Sequence, residues 1–132
     1  MNKSFVISLP LAPGAVIPAY ARVKFSQEGI EIADENDRSI GHCEQDCNYS
    51  VRPVIDVYRS NSGGLHFATA SEPLVAGEGF VGADDGMIQA ADEHPEGIVI
   101  QDAEEGATIM VAYYSASGLT VTDDSGSEPE AP

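Results

Sequence analysis

The chain has no tryptophan, only two cysteines, and six Lys plus Arg among its 132 residues. Each scarcity excludes something. Two cysteines build no disulfide framework. Six cations against 22 Asp plus Glu leave a net charge of −16, which repels nucleic acid and anionic membrane. No apolar run approaches the ~20 residues that a membrane-spanning helix needs. Lys3, an apolar run and Ala19-Tyr20-Ala21 imitate a secretion signal, but Pro10, Pro13 and Pro18 interrupt the run, so secretion is not expected. No sustained helical period occurs, and residues 103–106 are the one place where a short helical turn is expected. Phosphate-cradling and dinucleotide-binding glycine motifs are absent. No local signature joins a Ser to a His and an orienting carboxylate. Neither a catalytic residue nor a cofactor is expected.

What is present is a repeat. "VKFSQEGIEIAD" (residues 23–34) lies over "FVGADDGMIQAA" (residues 80–91), pairing Gly29 with Gly86. "GHCEQDCNYSVRPVIDVY" (residues 41–58) lies over "GIVIQDAEEGATIMVAYY" (residues 97–114), pairing Gly41 with Gly97 and Tyr58 with Tyr114. Each unit reads as β. An acidic-Gly pair between apolar stretches is the chemistry of a tight hairpin whose glycine takes positive φ. Ile109, Val111 and Tyr113 share one strand face, as do Pro53, Ile55 and Val57. Pro53 has no N–H for a ladder, so its strand is expected at an edge or bulged.

The expected fold is all-β, a compact antiparallel β-sandwich or barrel made of two duplicated β units. Residues 1–16 form an N-terminal arm with strand-like alternation at Phe5, Ile7 and Leu9. The first repeat covers residues 17–58, a connector residues 59–73, and the second repeat residues 74–114. Residues 115–132 form an acidic tail that reads as disorder in isolation, so order there implies contact with a partner.

The stretch "GHCEQDC" (residues 41–47) has the look of a metal site. The repeat sets His42, Cys43 and Cys47 against Ile98, Val99 and Ala103, which marks the cysteines as small apolar packing residues. One knuckle is also too few for a structural zinc. No metal is expected. "GADDG" (residues 82–86) lacks the calcium-loop spacing and aligns with a hairpin turn.

In the second copy Ala70-Ser71 precedes Val75-Ala76-Gly77-Glu78, then come Asp85-Gly86, Gly97-Ile98-Val99 and a closing strand at residues 109–113. That order of motifs resembles the capsid decoration, or cement, proteins of tailed bacteriophages. The resemblance implies a virion protein on the capsid exterior, made in the host cytoplasm. It further implies a homotrimer bound to the major capsid protein over junctions between its subunits. A small β-sandwich carbohydrate- or ligand-binding module is the alternative.

All six cations lie in residues 1–59 with eight carboxylates, giving 6 − 8 = −2, while residues 60–132 hold 14 carboxylates and no cation, giving −14. On that asymmetry the N-terminal copy is expected to meet the shell, with Lys3, Phe5, Arg22, Lys24 and Arg52 as contact candidates.

Overall fold

Alternating apolar residues build two five-stranded sheets in the computed structural model, which describes residues 6–60 and 65–114. Lys3, Phe5, residues 61–64 of the connector and the acidic tail lie outside the described residues. The first unit contains β1 (Val6–Pro10), β2 (Val16–Ile17), β3 (Arg22–Ser26), β4 (Gly29–Ile32), β5 (Gly41–His42), β6 (Cys47–Asn48) and β7 (Val54–Arg59). The second contains β8 (Leu65–Thr69), β9 (Gly79–Gly82), β10 (Ile88–Ala90), β11 (Gly97–Val99) and β12 (Thr108–Tyr113).

The sheets run β1-β7-β5-β3-β4 and β8-β12-β11-β9-β10, so strand for strand the two units have one topology. All strand pairs are antiparallel, and the all-β class holds, without a closed barrel. Each sheet curls so that its two edges approach without pairing along their length. A parallel bridge Leu11↔Ile30 joins the two edges of the first, and Ala70↔Ile88 does so in the second. Curling gives each unit its own core. Val23, Ile30, Cys43, Ile55 and Val57 fill the first, and Phe80, Ile88, Val99, Ile109 and Val111 the second. The inward faces are the ones that period-2 alternation marks in β7 and β12.

β1, within the arm of residues 1–16, is an edge strand of the first sheet, paired with β7 from Val6↔Tyr58 to Pro10↔Val54. β8, within residues 59–73, is likewise an edge of the second sheet. β7 is therefore interior, and Pro53 precedes it. Lacking an N–H, Pro53 contributes only its carbonyl, which accepts from the Leu11 amide. Residues 103–106 form no helix. A short 3-10 turn lies instead at Asp84–Gly86, where Asp85 (φ 60°) and Gly86 (φ 74°) are left-handed.

The repeat register also shifts in places. His42↔Tyr58 corresponds to Ile98↔Ala112, so Tyr58 matches Ala112 rather than Tyr114. The cause is a longer loop. Leu11 and Ala70 donate to the carbonyls of Pro53 and Ala107, yet Cys47 to Pro53 is two residues longer than Ala103 to Ala107. Gly29 pairs with Ser26, whereas Ala83 bonds across to Met87, so Gly86 is an extra turn residue rather than the match of Gly29.

Candidate functional site

The chemically richest region is the seam between the units. Arg22 and His42 lie beside each other on the outward face of the first sheet, where alternation predicts solvent. Both are buried, at 0 % and 1 % exposure, because the second unit packs over them. Arg22 Nε donates to the Met87 carbonyl at 2.9 Å, and Nη2 donates to the carbonyls of Ala83 (2.9 Å) and Asp34 (3.2 Å). Nη1 faces no protein acceptor among the described residues. Gly82 makes room for the guanidinium, since a Cβ there would fall inside it.

Two turns clasp beside this arginine. Asp84 Oδ1 accepts from the Glu35 amide at 3.0 Å, and Asp34 Oδ1 accepts from the Asp85 amide at 2.8 Å. One carboxylate from each unit, Asp84 of "GADDG" and Asp34, thus serves a backbone donor across the seam. The Gly86 amide adds a bond to the Ala33 carbonyl at 2.8 Å.

A file of rings crosses the seam. His42 stacks on Tyr58 at 5.4 Å and meets His66 edge to face at 5.4 Å. His66 in turn meets Tyr113 at 5.4 Å, and Tyr113 meets Phe80 at 5.2 Å. Burial holds the His42 pKa below its ordinary 6.5, with nearby His66 adding to the effect and Glu44 opposing it. A neutral His42 donates from Nε2 to Glu44 Oε2 at 3.0 Å, a hydrogen bond rather than an ion pair. Its buried Nδ1 then has no protein donor among the described residues. Burial also raises the Tyr113 phenol.

The cysteines stand where the repeat sets them. Cys43 is 1 % exposed in the first core, at the register of Val99, and its thiol donates to the Pro18 carbonyl at 3.2 Å. Burial pushes that thiol up to about 11. Cys47 pairs with Ile17 as Ala103 pairs with Leu74. Among the described residues no three His, Cys, Asp or Glu side chains converge on a point.

Of the contact candidates, Arg22 is corrected: a residue clamped by three carbonyls inside the seam offers no charge to a partner. Lys24 is at the surface but binds Asp37 at 2.9 Å, and Arg52 lies 3.7 Å from Asp56. The first unit therefore gathers no basic face from these three residues. Sequence reasoning missed Arg22 and His66 as seam residues, since neither local pattern nor repeat marks them.

A groove of about 620 Å³ opens between the units, lined by Ile7, Leu9, Phe25, Arg38 and Arg59 from the first and by Glu96 and Tyr113 from the second, among others.

No protein-family model matches the sequence, and no curated protein matches it. Among solved structures, the N base of head fiber gp8.5 in bacteriophage phi29 is similar to this chain, with a TM-score of 0.68 at 17% identity. The alignment covers 82% of this chain and 93% of that one. At this identity the likeness establishes a shared fold.

Proposed function

We propose that the chain is a non-catalytic structural protein of a tailed-phage virion. It sits on the outer surface of the capsid as a homotrimer and stabilises junctions between major capsid subunits. The observation that supports this reading is the fold likeness to a phage head fiber base over 82% of the chain. The motif order that resembles capsid decoration proteins points the same way.

The test is direct. Purified protein is mixed with expanded, DNA-free shells of the major capsid protein, sedimented, and imaged by negative stain. The expected result is saturable co-sedimentation, regular density at subunit junctions, and a higher shell disruption temperature. Protein that stays in the supernatant at every concentration overturns the proposal.

A further inference from the structure

The outward face of the second sheet differs from the rest of the acidic half. Along β8, β12, β11 and β9 its positions are filled by Leu65, Phe67, Met110, Ala112, Ile98 and Val81, and the others on the described strands are Thr, Gly or Gln. No charge stands on it, although residues 60–132 contain 14 carboxylates. The residues are contiguous by register: Met110 opposite Phe67, Ala112 opposite Leu65, and Ile98 opposite Ala112. Ile100 extends the patch, its amide donating to the Met110 carbonyl. Leu65 is 58 % exposed, Ile100 43 % and Phe67 38 %. Phe67 also meets Tyr20 of the first unit edge to face at 5.5 Å, so the patch continues into the seam.

In the first unit the second unit docks over one end of the outward face, at Arg22 and His42, while Ser8, which matches Phe67 by register, is exposed. In the second unit the register of Arg22 and His42 holds Gly79 and Ile98, and nothing in the chain's described residues covers Leu65 or Ile100. Charge decides the occupant. A polyanionic nucleic acid or membrane is repelled by a chain of net −16. A second copy placed face to face would set two halves of −14 against each other. An uncharged surface on a different protein escapes that repulsion, because the described strands of this face bring no carboxylate of their own into the contact.

We propose that this face, centred on Leu65, Phe67 and Ile100, is the surface by which the chain docks on the capsid shell. This rests on the virion reading above and replaces the charge-based orientation, in which the first copy meets the shell. The acidic half then lies against the shell through its one uncharged face.

Leu65→Glu with Phe67→Glu, and separately Ile100→Glu, are compared with Lys24→Glu combined with Arg52→Glu in the same co-sedimentation assay on expanded shells. Thermal melting confirms folding, and sedimentation of the free protein reports its own association. The expected result is an affinity lowered about tenfold or more by either face variant, against a small, salt-dependent loss for the charge variant. Shell binding unchanged by both face variants, with binding by the unsubstituted protein intact, overturns the assignment alone. No binding by the unsubstituted protein overturns the virion reading with it. A free oligomer that the face variants dissolve makes the occupant a second copy and also overturns the assignment.

Discussion

The first unit carries Arg22, His42 and Tyr58 where the second carries Gly79, Ile98 and Ala112, on strands of identical order. Duplication conserved the curl of the sheet and its inward face, since any residue pointing into so small a core must be apolar and sized to fit. It left the outward faces free to diverge. One is polar and buried by its neighbour, with Nε and Nη2 of Arg22 bonded within the chain. The other carries no charge on its described strands and leaves Leu65 and Ile100 exposed.

The heaviest blow to this arrangement is Arg22→Ala. It strips donors from the Ala83, Met87 and Asp34 carbonyls and empties the space above Gly82. A loss of about 3–5 kcal/mol is expected in urea unfolding, the range for breaking a buried charged network. A loss below about 1 kcal/mol would show that the seam does not depend on Arg22.

Equivalence of the units is sharpened by Gly41→Ala and Gly97→Ala. A Cβ on Gly41 would run into the Tyr58 carbonyl, and one on Gly97 into the Ala112 carbonyl, which are matched atoms of matched strands. Each substitution is expected to cost about 1–3 kcal/mol by overpacking. A large cost at one glycine and none at the other would break the correspondence.

Cys43→Val with Cys47→Ala writes the residues of the second unit into the first. The expected cost is at most about 1–2 kcal/mol from imperfect repacking. A melting temperature that collapses in chelator, together with stoichiometric zinc in protein purified without added metal, would contradict this packing role. Thiol labelling adds a check, as Cys43, raised to about 11 and buried, should react far more slowly than Cys47 in the native state.

The smallest effect is a pH dependence confined to the first unit's side of the seam. Burial keeps the folded pKa of His42 below 6.5, so on acidification through 6.5 the unfolded chain takes up a proton that the folded chain resists. Stability contributed by this residue falls as pH drops below 6.5, by at most about 1.4 kcal/mol per unit, until the folded pKa is reached. His42→Gln should flatten that slope, measured by denaturant titrations between pH 7 and 5.5. An unchanged slope would assign the dependence to other groups. The Ile98 position offers no such titration, which is the contrast between the units in its plainest form.

Much of the fold was legible because its signals are local. Alternation in "ATIMVAYY" gives a face for Ile109, Val111 and Tyr113, and all three are buried. Turn chemistry placed Gly29 and Gly86 at positive φ, and both are there. The substitution of Cys43 by Val99 reads as core in either copy, and that too holds. Register across a gap was harder. Tyr58 and Tyr114 look alike, but backbone hydrogen bonding, not residue identity, fixes which residues are equivalent once a loop has grown by two.

The amino-acid sequence by itself determined the strands, their inward faces, the duplication and the charge, all of which follow from residues close in the chain or from simple sums. Only the tertiary structure decided the fate of the outward faces. Burial of Arg22 and His42 depends on a second unit some sixty residues away arriving over them, and period-2 alternation carries no information about what covers a strand from outside. The same pattern that reads as a solvated polar face in the first unit is a seam. In the second, the open face is the one without charge.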